Sequence, residues 1–152
     1  MTLCIRAFEP RDEHAVVALW NEAELTRPWN DPRSDIATKL CTQPELFLVG
    51  EVDGRIVATA MAGYDGHRGW VYYLGVLKAE RRKGHARALM LHVERALGAL
   101  GCPKLNLQVR AENSAAVGFY EALGYERQDL VALGKRLDVP AAAPESGPAP
   151  RS

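Results

Sequence analysis

Leu74-Gly75-Val76-Leu77-Lys78-Ala79-Glu80-Arg81-Arg82-Lys83-Gly84-His85-Ala86 joins an apolar, β-rich run to a helix, and its reading decides the fold. Upstream, Trp70 to Leu77 reads as a strand. Downstream, Ala86, Leu89, Met90, Val93, Leu97 and Leu100 share one helical face between Lys83 and Leu100, and Gly101-Cys102-Pro103 stops the helix. Lys104 to Arg110 is strand-like again. Strand, long helix, strand is a βαβ unit, which sets its two strands parallel. A turn feeding a helix N-terminus presents unpaired N–H groups and the positive end of the helix dipole, a natural place for phosphate where the backbone can be approached closely. Gly84 permits that approach, Ala86 keeps the next contact small, and Arg81, Arg82, Lys83 and Arg87 add positive charge. The spelling is neither a P-loop nor a Rossmann turn. The physical expectation is a diphosphate site; the plain alternative is a loop whose basic side chains are simply solvated.

Working outward, Leu46–Val52 and Arg55–Tyr64 are β-rich runs joined by Asp53-Gly54, a strong hairpin signal. The turn Asp65-Gly66-His67-Arg68-Gly69 leads into the Trp70 strand, completing an antiparallel meander. Toward the N-terminus, Leu3–Phe8 reads as a strand. Pro10 opens a helix over about 10–25 with Val16, Leu19, Trp20 and Ala23 at helical spacing. A segment of turn formers, Thr26 to Pro32, precedes a short helix over Ser34–Leu40, with Ser34 a plausible cap. Toward the C-terminus, Asn113 caps a helix to Leu123, Gly124 ends it, and Tyr125 onward is extended. The order β-α-α-β-β-β-α-β-α-β predicts an α/β protein with a mixed sheet, residues 1–137 forming one domain. Residues 138–152 read as a disordered tail, with four of the nine prolines between 140 and 150.

Composition excludes several function classes. Apolar residues make up 47% and charged residues 25%, enough for a core and typical of a globular domain. Lys plus Arg and Asp plus Glu are 19 each, so no global basic field draws in nucleic acid or an anionic membrane. No basic-then-apolar leader opens the chain, and no apolar run approaches the ~20 residues that span a bilayer. Cys4, Cys41 and Cys102 are scattered, odd in number and without metal-ligand spacing. A cytoplasmic, metal-free protein is the expectation.

Arg81-x-x-Gly84-x-Ala86, preceded by Leu74-Gly75-Val76, resembles the acetyl-CoA signature of the GNAT acetyltransferases, Arg/Gln-x-x-Gly-x-Gly/Ala between a strand and a long helix. Asn113 opening the next helix and Tyr120 within Gly118–Tyr125 match further downstream. The resemblance covers residues 1–137. More narrowly, Arg27–Pro32, Tyr64–Gly69, Gly101–Lys104 and Leu133–Leu137 resemble one bacterial branch of that family.

The resemblance implies a GNAT fold and transfer of an acetyl group from acetyl-CoA to an amine. It implies that Leu74, Gly75 and Val76 offer main-chain groups to pantetheine, and that Arg82, Lys83, Gly84, His85, Ala86 and Arg87 hold the pyrophosphate. Asn113 would bond the pantetheine arm, although its role as a helix cap explains an Asn equally well. Tyr120 would protonate the departing thiolate; the alternative is a core aromatic, since Val117, Tyr120 and Leu123 recur at helical spacing. Direct transfer needs no Ser or Cys nucleophile.

The general base is not legible. Family members place a Glu where this chain has Gln108 or Trp70. Asp31, Asp65, His67 and Tyr73 remain as candidates, though an Asp-Gly-His turn is ordinary turn chemistry. Trp29, Asn30 and Asp31 lie where this fold builds its acceptor site. Asp31 would attract a cationic amine and Trp29 would bind its ammonium by cation–π contact, or Trp29 is a packing anchor between two prolines. Two other function classes stay open: an acyl-CoA-binding sensor without turnover, and a nucleotide-binding protein using the same basic turn. The family often forms homodimers.

Overall fold

The computed structural model describes residues 2–138. Five strands lie in chain order across one sheet: β1 Cys4–Ala7, β2 Phe47–Val52, β3 Arg55–Tyr64, β4 Gly69–Val76 and β5 Leu105–Asn106. The first four are antiparallel neighbours, and β5 runs parallel to β4. The helices are α1 Glu13–Glu22, α2 Pro32–Leu40, α3 His85–Ala99 and α4 Ser114–Ala122. Among the described residues no helix is long and apolar enough to cross a membrane.

Alternation along the strands gives the sheet two apolar faces, each with its own cover. Leu48, Ala60, Val71 and Val76 pack with Leu89, Met90, Val93 and Leu97 of α3, the face read from the sequence. Phe47, Val49 and Met61 pack on the other side with Val16, Leu19 and Trp20 of α1 and Ile36 of α2. On this second face Phe8 stacks on Phe47 at 4.5 Å, Trp20 lies 6.0 Å from Phe47, and Tyr73 stacks on Trp20 at 3.8 Å. The four rings form a continuous column from the N-terminal strand to β4. A Cβ on Gly75 would come within 2.7 Å of a Leu25 methyl and 3.2 Å of a Leu19 methyl, so a larger residue would make those side chains shift.

Several elements depart from the sequence reading. Pro10 opens a 3₁₀ turn, Pro10–Asp12, before α1, which ends at Glu22. Asp12 turns back to accept from the Glu9 N–H, capping that turn, and from both terminal nitrogens of the Arg6 guanidinium, at 2.7 and 2.9 Å. α2 starts two residues before Ser34: Asp31 is its cap, accepting from the Arg33 N–H at 3.0 Å, with Pro32 in the first turn. The strand expected over 104–110 keeps only Leu105 and Asn106, because β4 and its parallel neighbour diverge after the pairs Gly69–Leu105 and Trp70–Asn106. Among the described residues no strand forms after Tyr125, and Leu133 in that segment is 92% exposed. The tail beyond residue 138 lies outside the described residues.

Candidate active site

The divergence of β4 from residues 107–110 opens a groove of about 1300 Å³. Tyr72, Tyr73 and Leu74 line one wall, Leu107 to Arg110 another, and Asn113 and Tyr120 of the α4 region close it. The α1–α2 loop and α2 complete the rim through Trp29, Asn30, Asp35 and Lys39.

A bulge in β4 faces this groove. The β3–β4 register pairs Thr59 with Gly75 and Met61 with Tyr72, so Ala60 opposes two residues, Tyr73 and Leu74. Tyr73 carries the strain, with φ at 53°. Three contacts hold it. Its ring stacks on Trp20, its carbonyl accepts from the Thr59 hydroxyl at 2.9 Å, and Thr59 in turn accepts from the Trp20 indole N–H at 3.0 Å. Its own hydroxyl donates to Asp35 Oδ2 at 2.6 Å. Burial first, then the bond to Asp35, push the Tyr73 hydroxyl pKa well above its ordinary value.

At the far end of β4, residues 81–84 form the exposed basic turn into α3. Arg82 and Gly84 both have positive φ, 63° and 84°, and a Cβ on Gly84 would meet nothing within 4 Å. The first helical bond runs from Ala88 N–H to Gly84 C=O, and no side chain caps α3. The N–H groups of His85, Ala86 and Arg87 therefore precede the helical ladder, at its positive end. The side chains of Lys83 and His85 turn away to Glu80, at 3.0 and 3.4 Å, which also takes Arg55 at 2.9 Å. Lys83 above all holds the Glu80 carboxyl below its ordinary range. What Lys83 and His85 present at the turn is main chain; Arg82 and Arg87 keep exposed side chains.

Tyr120 lines the groove in edge-on contact with Phe119 and Tyr125, at 5.1 and 5.8 Å. Burial pushes its pKa up to about 12, so it is protonated at neutral pH. Among the described residues its hydroxyl has no protein partner, whereas that of Tyr125 donates to Glu94 at 2.7 Å. The Asn113 side-chain oxygen caps α4 through the Ala116 N–H at 3.1 Å, leaving its NH₂ as a donor at the groove.

The candidates for the acceptor side separate in the structure. Asp65 accepts from the His67 and Arg68 N–H groups at 2.8 and 2.7 Å, and neither it nor His67 lines the groove. Asp31 is occupied as a helix cap and likewise stays out of the lining. Trp29 does line it, 54% exposed, but Arg110 already sits 5.8 Å over its ring. Gln108 faces the groove; Trp70 is held in the β4–β5 ladder. Asp35 and Lys39, one turn apart on α2, are new to the site. A polar spacing of four on a helix is so common that nothing in the sequence singles them out.

Residues 14–125 match the model of the acetyltransferase (GNAT) family. The chain belongs to that family. An acetyltransferase of Yersinia enterocolitica is 55% identical over 135 residues, covering 89% of this chain and 96% of the relative. An acetyltransferase of Pectobacterium atrosepticum is 53% identical over 133 residues, 88% and 94% of the two chains. Among solved structures, the ribosomal-protein-S18-alanine N-acetyltransferase of Escherichia coli superposes with TM-score 0.72 at 26% identity, over 84% of this chain and 80% of that one. Ard1 of Thermoplasma volcanium does so with TM-score 0.77 at 25% identity, over 85% and 86%. This GNAT protein is an acetyltransferase, with the mixed sheet that its sequence predicts.

Proposed function

We infer that the enzyme takes its acetyl group from acetyl-CoA and delivers it directly to an amine. The observation that carries this reading is the opening between β4 and residues 107–110, bordered by Tyr120, with the uncapped start of α3 beyond the end of β4. The residues fit such a donor. Nothing crowds Gly84, the α3 N–H groups are uncapped, and the β4 edge beyond Trp70 has no strand partner on the β5 side.

Acetyl-CoA, when bound, supplies an activated thioester. The main chain of Arg82–Arg87 holds its pyrophosphate, with Arg82 and Arg87 adding charge. Leu74, Gly75 and Val76 offer backbone groups to the pantetheine arm, and the Asn113 NH₂ donates to it. A main-chain N–H beside the Tyr73 bulge polarises the acyl carbonyl, as an oxyanion hole does. Tyr120, neutral and unpartnered, has the proton that a departing thiolate needs. The E. coli neighbour, an alanine N-acetyltransferase by name, supports an amine as acceptor.

The test combines two measurements on the intact chain. Thermal shifts are compared with acetyl-CoA, CoA and ATP; a ligand at a hundred times its Kd stabilises by about 2.7 kcal/mol. Free thiol release from acetyl-CoA is then followed across a panel of amines and peptides. Stabilisation by acetyl-CoA with amine-dependent release is the expected result. A shift with ATP alone overturns the reading, and binding without turnover of any acceptor makes the protein a sensor instead.

A further inference from the structure

The groove contains a carboxylate that the donor half does not use. Asp35 is half-buried on α2, and one of its oxygens, Oδ2, is taken by the Tyr73 hydroxyl at 2.6 Å. Among the described residues Oδ1 has no hydrogen-bond partner. Tyr73 cannot easily shift to change this. Its backbone is held at positive φ, its carbonyl is tied to Thr59, and its ring is stacked on a fully buried Trp20. A strained residue persists where its surroundings over-determine it, and such places cluster at functional sites. Charged neighbours of Asp35 include Lys39, one turn along α2 and donating to the Ala62 carbonyl, and Arg136, which is held by Asp138 at 2.6 Å and by Asn30 at 3.2 Å; Glu24, Arg27, Arg110 and Glu112 line the same groove.

We propose that Asp35, oriented by Tyr73, is the anchor and first proton acceptor for the acceptor amine, and that this amine belongs to the class of cationic primary amines. The proposal rests on the N-acetyltransferase reading above. An alkylammonium fits the site because it brings donors to an oxygen that has none, and positive charge to a carboxylate whose nearby cations, Lys39 and Arg136, are bonded to the Ala62 carbonyl and to Asp138. The ammonium passes one proton to Asp35 Oδ1, which releases it to water in the open groove. The freed lone pair forms the C–N bond to the acetyl carbon as the C–S bond breaks. Tyr120 protonates the sulfur and is reprotonated by water. The second nitrogen proton leaves through Asp35 as the first did, so each turnover releases one net proton.

Tyr73 is a positioning residue in this scheme. It keeps Asp35 from rotating toward Lys39 or Arg136, and leaves one oxygen facing the acceptor. Its aromatic neighbours do the same for Tyr73.

The experiment uses the full chain with butylamine, a lysine-containing peptide and an alanine-terminated peptide as cationic acceptors, and with aniline as an amine that is neutral at pH 7. Asp35→Asn is expected to lower kcat/KM for the best cationic acceptor about 10- to 100-fold, the worth of a charged hydrogen bond. Acetyl-CoA affinity should stay within about twofold. Asp35→Glu should restore part of the loss, and Tyr73→Phe should act mainly on kcat. Equal losses for aniline and the cationic amines in Asp35→Asn overturn the proposal, as does acceptance of aniline alone. Should acetyl-CoA fail to bind the wild type, the donor reading falls. Butylammonium binding to wild type and to Asp35→Asn, followed by NMR, then decides the amine site by itself. Indistinguishable binding to the two proteins sinks it.

Discussion

Replacing Tyr120 by Phe removes one oxygen from a site where, in the folded protein, that oxygen has no protein partner. The ring stays, with its edge-on contacts to Phe119 and Tyr125. Loss of a hydroxyl costs stability chiefly through the partner it strands, and here none is stranded. The melting temperature at pH 7 should therefore change by no more than that of a neutral surface substitution, within about 0.5 kcal/mol. Catalysis should change far more. General acid catalysis is worth about 10²- to 10⁴-fold, so kcat should fall by that range while acetyl-CoA affinity holds. A third observable comes from linkage. Burial raises the folded-state pKa from 10.0 to about 12, so the stabilising effect is full below pH 10 and is lost as pH rises through 12. Two pK units correspond to roughly 2–3 kcal/mol. Wild type should lose stability relative to Tyr120→Phe by an amount of that order between pH 9 and pH 12. The assays are thiol release, acetyl-CoA titration and denaturant unfolding at paired pH values. Unchanged kcat would leave Tyr120 as packing alone. A variant melting many degrees lower at pH 7 would show that the hydroxyl has a structural partner after all.

Three further outcomes follow from other parts of the molecule. Gly84→Glu places bulk, negative charge and a side chain at φ 84° on the phosphate turn, and should abolish acetyl-CoA binding in a folded protein; retained affinity by calorimetry refutes the site. Trp20→Phe removes the indole donor to Thr59 and part of the Tyr73 stack, and should cost about 2 kcal/mol and raise the amine KM more than the acetyl-CoA KM; the reverse order in steady-state kinetics would refute the link. Arg6 depresses the Asp12 pKa, so the bridge stabilises fully above the ordinary carboxylate range and its contribution is lost as pH falls through the depressed value. Asp12→Asn should flatten the acid limb of the stability curve, and an unaltered limb in urea melts would contradict this.

Much of the fold was legible because it obeys local rules. Asp53-Gly54 joins β2 and β3 as an Asp-Gly hairpin should, and the apolar spacing from Ala86 to Leu97 marks the face of α3 that covers the sheet. What escaped depended on contacts between distant segments. The bulge at Tyr73 arises where Thr59 and Trp20 bind its carbonyl and ring, and no property of Tyr-Tyr-Leu announces it. The brevity of β5 follows from divergence of two strands whose residue types would suit a longer ladder. Ser34 and Asp31 are both good caps, and the choice went to the residue preceding a proline. In the site, the basic turn was readable from its glycine and charges. Asp35 was not, because its importance lies in facing Tyr73 across 38 positions of sequence. Charge points to Lys83, and the family resemblance to His85, as pyrophosphate ligands, but a glutamate three and five residues before them claims their side chains.

The separate cores on the two faces of the sheet have a consequence for how such a protein can diversify. α3 and its layer of Leu89, Met90, Val93 and Leu97 sit on one side, while the aromatic column that ends in Tyr73 sits on the other. Drift in the residues behind α1 and α2 can reshape the rim around Asp35 without disturbing the packing that fixes the start of α3. One half of such a protein can stay constant over long descent while the other tries new chemistry, with the sheet as the partition between them.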